Sequence, residues 1–304
     1  MLTNEKIKEL QLTANKVRQT IIEMLISAGT GHTAGPLGMA DIFTAFYFHV
    51  LKHDPKKPMW PERDRLILSN GHICPVRYAA MYHAGYDITK DELKTFRKIG
   101  SRLEGHPNYL RMPALETSSG PLGEGLSESC GFALAAKLDK KDKDYHIWCL
   151  TSDGEHEEGM TWEAIMLAAK YKLDNLTVII DRNYIQIDDD TETVMPLDPL
   201  ADKYKSFNWN VLEMDGHDFR DIVAKLEESK ADKGRPTVII ARTTPGKGIS
   251  FMENDYRWHG IPPGLGPEDK VPRAKQGEEA LKELKKIEEK ILAGKIKSSW
   301  VSNL

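Results

Sequence analysis

From Tyr145 to Ile180 the chain passes through an apolar run, YHIWCL, an acidic loop, TSDGEHEEG, a helix-patterned segment, MTWEAIMLAAKYK, and a second apolar run, NLTVII. No other stretch constrains the fold so tightly. Runs this apolar are strands covered on both faces, and two of them joined through a helix pair in parallel. The connection is then a right-handed βαβ crossover. RLILSNGH before this unit and TVIIART after it read as further strands. The expectation is an α/β fold, a parallel β-sheet flanked by helices on both faces. In such sheets ligands bind outside the carboxyl ends of the strands, and the polar loops of this chain fall at those ends.

Around that unit, Ile7, Leu10, Ala14, Val17, Ile21, Met24 and Ala28 recur at helical spacing until Gly29 ends the run. Two Gly-rich loops, GTGHTAGPLG and SSGPLGEG, each feed a helix. The last patterned segment, EEALKELKKIEEKILAG, carries Leu284, Ile287 and Ile291 on one face and charges elsewhere. With no internal repeat and no linker, residues 1–304 read as a single domain, with a core over about 10–265 and a helical tail over 266–304.

Composition narrows the function. Net charge is -4, and no basic stripe interleaves with aromatic residues, which argues against nucleic acid. No apolar run reaches the roughly 18 residues a membrane span needs. Cys74, Cys130 and Cys149 have neither zinc nor disulfide spacing and read as small buried hydrophobes in a reducing compartment. The N-terminal MLTNEKIKELQ is charged and helical, unlike a signal peptide. A cytoplasmic location is expected.

The acidic loop holds five carboxylates between residues 151 and 164. Asp153 ends one strand of the βαβ unit and Asn183 ends the next, so their side chains can converge. A carboxylate, an amide oxygen and the backbone carbonyl of Ile185 form an oxygen set suited to magnesium, which usually also binds substrate phosphates. Taken singly, Asp153–Gly154 is an ordinary turn and Asn183 a loop cap. Glu155 and Glu157 read as solvated.

Asp-Gly followed by Asn at this distance resembles the metal and diphosphate motif of thiamine-diphosphate (ThDP) enzymes. SDGEHEEGMTWEA with DRNYIQID looks like the transketolase family in particular. GTGHTAGPLG, LSNGHICP, EGHPN with TSSGPLGEG, and TTPGKGISFMENDYRWHG agree with it in order. The resemblance implies a ThDP-binding domain of the diphosphate (PP) type that helps move a two-carbon ketol unit from a ketose to an aldose. It implies that Asp153, Asn183 and the Ile185 carbonyl hold Mg²⁺ or Ca²⁺. His72, Gly154, Asn183 and His259 would bind the diphosphate, and the backbone of Gly120 and Leu122 the aminopyrimidine. His32, His106 and His259 would face the sugar, and Glu158 would lie near a dimer interface. Each of these histidines taken alone reads as a loop residue bonding backbone, the reading kept for His49, His53, His83, His146, His156 and His217.

The chain departs from the family in one large respect. Single-chain transketolases continue into a second half that carries the glutamate for the aminopyrimidine and most acceptor-phosphate contacts; nothing after residue 265 here resembles it. The implied protein is the N-terminal subunit of a split transketolase, working with a pyrimidine-binding C-terminal subunit, in an α2β2 assembly, on sugars or sugar phosphates. Smaller departures are Ser152 in place of glycine, His156 in place of an aliphatic residue, and Asp189 in place of glycine. Ser152 is tolerable if its φ is not positive. Rival readings are the α component of a 2-oxoacid dehydrogenase and a non-catalytic ThDP-binding subunit. A nicotinamide dehydrogenase is disfavoured, because GTGHTAG follows a helix and its spacing is too long.

Overall fold

The structure is a computed structural model that describes residues 2–296. Five strands, β1 (Arg65–Leu68), β2 (Ile147–Ser152), β3 (Leu176–Arg182), β4 (Asn210–Asp215) and β5 (Thr237–Arg242), form one sheet of order β1-β2-β3-β5-β4. Every pairing is parallel. Buried apolar residues form one cluster on each face of the sheet, so the central strands need apolar side chains on both faces. All residues of β2 and β3 are buried.

β4 has no counterpart among the strands expected from the sequence. It is an edge strand whose pattern is mostly half-buried or exposed, and NVLEMD therefore lacks the apolar run that marks its neighbours. The crossover helix between β2 and β3 is Gly159–Lys170. The first helix, Asn4–Ala28, ends on Gly29 in the left-handed conformation, with the Gly29 N–H donating to the Leu25 carbonyl. The helix Arg273–Leu292 buries Gln276, Ala280, Leu284 and Ile291. It lies against the first helix, where Asn15 Nδ2 donates to the Leu284 carbonyl at 3.0 Å. Residues 297–304 of the expected helical tail lie outside the described residues.

The three cysteines are free and buried, as their spacing suggests. Among the described residues, no helix is long and apolar enough to cross a membrane. Ser152 lies in β2 and is not among the positive-φ residues, so the missing glycine strains nothing.

Candidate active site at the carboxyl edge of the sheet

Register places the acidic loop and the asparagine motif side by side: Ser152 pairs with Asp181 across β2 and β3, and the Asp153 N–H donates to the Asp181 carbonyl at 3.3 Å. Asp153 is 1% exposed. Its Oδ2 accepts from the Tyr184 N–H at 2.9 Å and Arg182 Nη1 at 3.2 Å, and Oδ1 accepts from the Gly154 N–H at 2.8 Å. Burial pushes this carboxyl up to about 6 against the lowering effect of Arg182 and the two N–H groups. Asp181, buried beside it, rises to about 7 through burial and the Asp153 charge, opposed by Thr243 and Asn183. Asn183 donates to Asp181 Oδ2 at 2.9 Å, and its Oδ1 accepts from the Ile185 N–H at 3.0 Å. Two adjacent buried carboxylates whose protonation is favoured by crowding form an oxygen-rich point where a hard cation would relieve repulsion. The donor set fits magnesium.

Glu155 corrects the sequence reading. It is fully buried rather than solvated. It accepts from Ser69 Oγ, from the Gly123 N–H at 3.1 Å and from the Ser152 N–H at 3.0 Å. One carboxylate thus ties the loop after β1 and the Gly-rich loop 117–125 to the end of β2. Burial raises its pKa, with those donors opposing. Glu157 is exposed and bonded to Gln186. Glu158 is exposed at the start of the Gly159–Lys170 helix. His156 is buried and structural: Nδ1 faces the Ser152 and Asp153 carbonyls at 3.0 and 3.1 Å, so it carries the proton, and Nε2 accepts from the Tyr204 hydroxyl at 2.7 Å.

The motif histidines, scattered over the sequence, converge. His32 lies 4.8 Å from His72 and 5.4 Å from His259 between ring centroids, and His72 lies 5.3 Å from His259. The loop after β5 reaches them because the Thr33 N–H donates to the His259 carbonyl at 3.3 Å and Thr33 Oγ1 to the Ile261 carbonyl at 2.7 Å. His106 packs over Gly120, where a Cβ would lie 3.5 Å from its ring. At Gly71, which precedes His72, a Cβ would meet Ser119 Oγ at 2.6 Å, so only glycine lets these two loops touch. Leu122 is half-buried in the same Gly-rich loop.

These imidazoles are neutral. Burial first, then the neighbouring histidines and Arg97, holds His32 down at about 3; burial holds His259 at about 4, and burial with the neighbouring histidines holds His72 well below its ordinary value. The Nδ1 atoms of His32 and His259, both amide atoms of Asn70 and Ser119 Oγ are buried without a hydrogen-bond partner. Orphaned donors and acceptors gathered at strand ends are what a polar ligand satisfies. The sequence reading misses Asn70, Ser119 and Asp181 as well as the buried role of Glu155. Only their contacts across the fold mark them, although Asp181 inside an apolar strand run is a local signal.

The histidines also set an acid limit on the chain. Unfolded, each titrates near 6.5; folded, His32 and His146 are held at about 3 and His156 and His259 at about 4. The unfolded state binds more protons there, so stability falls as pH drops below about 6.5, by roughly 1.4 kcal/mol per pH unit for each unmatched proton. The raised Asp153, Asp181, Glu155, Glu116 and Glu128 act in the opposite sense, and they are outnumbered once His72, His83, His106 and His217, also held below their ordinary value, are added to the four histidines above. Melting temperature is expected to fall steadily from pH 6.5 to 5, and a flat profile would contradict the neutral-histidine assignment.

Comparison with known proteins decides the family. Residues 10–291 match the model described as transketolase, thiamine diphosphate binding domain. The chain belongs to the transketolase family. It is 38% identical over 286 residues to an apulose-4-phosphate transketolase subunit of Phocaeicola vulgatus, covering 94% of this chain and 97% of that one. A relative from Clostridium, 38% identical over 85% of this chain and 93% of its own, is a 6-deoxy-6-sulfo-D-fructose transketolase subunit. The transketolase of Rhodobacter capsulatus is 40% identical, but the match spans 83% of this chain and only 38% of that protein. The solved transketolase of Campylobacter jejuni superposes with a TM-score of 0.80 at 34% identity, over 96% of this chain and 48% of that one. The transketolase family is a family of transferases, and this chain matches its ThDP-binding part.

Proposed function

We propose that this chain is the N-terminal, diphosphate-binding subunit of a two-chain transketolase that moves a two-carbon ketol unit from a ketose to an aldose. One observation carries the reading: the chain is nearly coextensive with subunits of this kind, at 97% of one, yet covers 38% of a single-chain transketolase. The missing half is then a separate pyrimidine-binding subunit, and an α2β2 hetero-oligomer is the proposed assembly. One domain over residues 1–304, a cytoplasmic location and a place in pentose phosphate metabolism belong to the same reading. The names of those relatives point to substrates carrying a phosphate or sulfonate.

In the proposed site, Asp153, the Asn183 amide oxygen and the Ile185 carbonyl hold Mg²⁺ or Ca²⁺. His72, His259, Gly154 and Asn183 hold the diphosphate, and the backbone of Gly120 and Leu122 meets the aminopyrimidine. When bound, ThDP supplies the nucleophilic carbon and the electron sink for C–C bond cleavage. The protein's part is positional and electrostatic. His32 and His259 present free Nδ1 atoms; as neutral imidazoles they can donate a hydrogen bond or proton to a developing alkoxide or, in the other direction, take the proton of the hydroxyl from which an alkoxide forms. His106, exposed above Gly120, recognises the terminal hydroxyl of the donor. The test is reconstitution with the C-terminal partner, ThDP and Mg²⁺. Ketol transfer from a ketose supports the reading, whereas decarboxylation of a 2-oxoacid in its place overturns it in favour of a 2-oxoacid dehydrogenase component.

A further inference from the structure

Loop 103–107, which carries His106, has no regular structure of its own, so its backbone groups must find partners elsewhere. The helix Cys74–His83, which begins two residues after His72, supplies them from two side chains. Cys74 and Tyr78 are four residues apart and share one helix face; both are fully buried. The Tyr78 hydroxyl donates to the Glu104 carbonyl at 3.0 Å. The Cys74 thiol lies 3.2 Å from the Gly105 carbonyl and 3.6 Å from the Glu104 carbonyl. Burial pushes the pKa of thiol and hydroxyl up, so each keeps the proton it donates.

The same loop is fixed at further points. Arg97, whose backbone lies in the left-handed region at φ 60°, donates its N–H to the Leu103 carbonyl at 2.9 Å. Its guanidinium covers Gly105, where a Cβ would lie 2.8 Å from Nε. The Ser119 N–H donates to the Pro107 carbonyl at 3.0 Å. The carbonyls on both sides of His106 are therefore engaged, and the two that precede it are held by the helix that follows His72. One rigid element thereby sets where both histidines stand.

We propose that Tyr78, assisted by Cys74, is a positioning residue for ketol transfer: it holds the backbone of Glu104 and Gly105 so that the His106 imidazole meets the terminal hydroxyl of the donor sugar. This rests on the ketol-transfer reading, and it adds a buried residue that acts on the substrate only through His106.

Tyr78→Phe keeps the ring and removes one hydrogen bond. Assembled with the partner subunit, ThDP and Mg²⁺, it is expected to lower kcat/KM for a ketose phosphate by about 3- to 10-fold, with the calorimetric affinity for ThDP unchanged. A double-mutant cycle with His106→Ala decides the role. In the His106→Ala background, Tyr78→Phe should lower kcat/KM no further, because the group it positions is gone. Losses that multiply, a parallel fall in ThDP affinity, or no loss in Tyr78→Phe overturn the proposal. If the wild-type pair transfers no ketol unit, the functional reading fails on its own. Imidazole NMR of His106 in the assembled protein then tests the positioning: a shifted or broadened ring signal in Tyr78→Phe sustains it, and an unchanged signal removes it.

Discussion

Replacing Asp41 with alanine is expected to destabilise the chain by about 3 to 5 kcal/mol, the cost of stranding a buried charge. Arg18 and Asp41 are both fully buried and paired through two bonds, Nη1 to Oδ1 at 3.0 Å and Nη2 to Oδ2 at 2.7 Å. Burial alone would raise the Asp41 pKa; the Arg18 charge and the hydrogen bonds from His217 and Arg18 outweigh it and hold the carboxyl at about 2. His217 Nδ1 donates to Asp41 Oδ2 at 2.8 Å, and Nε2 accepts from the Thr244 N–H at 2.8 Å. The network thereby fixes the loop after β5, which carries His259, against the helices that follow the His32 loop. Because a domain's whole stability is about 5 to 15 kcal/mol, the Asp41→Ala chain should be largely unfolded under mild denaturant. Denaturant titration checks this; a loss under about 1 kcal/mol would mean that the pair is solvated. Replacing Arg18 and Asp41 together with methionine and leucine is expected to restore most of the stability, since removing both charges leaves none unpaired.

Asp153→Ala in the assembled enzyme should weaken joint binding of Mg²⁺ and ThDP by at least about 100-fold, beyond the 10- to 100-fold typical of residues that only support a metal ligand. The Arg182 charge survives the change, because Arg182 also contacts Glu192 and, at 3.4 Å, Asp198. A folded variant is therefore expected, and near-ultraviolet dichroism checks it. Calorimetric titration of ThDP at fixed Mg²⁺ reads the affinity. Retained affinity in a folded Asp153→Ala protein would remove Asp153 from the metal set and leave its carboxylate as an anchor for the Tyr184 N–H and Arg182.

What is legible in the sequence follows from range. β2 and β3 are visible because burial on both faces demands consecutive apolar residues, and the helix between them because its pattern is local. The edge strand β4 has one solvated side and leaves no such run. The histidine motifs are legible as segments, yet nothing local says that His32, His72 and His259 share one point. Glu155 looks like one more carboxylate in an acidic loop until the fold brings Ser69 and Gly123 to it. Asp41 and His217 are 176 residues apart, and Arg97 is marked by φ and by what it covers, neither of which spacing reveals.

Turnover of this chain with and without its partner tests the central claim most directly. Ketol transfer from a ketose phosphate to an aldose phosphate is followed with ThDP and Mg²⁺ present throughout. The chain alone should show no transfer above background, because the carboxylate that activates the aminopyrimidine is proposed to lie on the other polypeptide. Adding the pyrimidine-binding partner should bring transfer to an enzymatic rate of about 1 to 1,000 per second. Comparable turnover by the chain alone would contradict the split-enzyme reading.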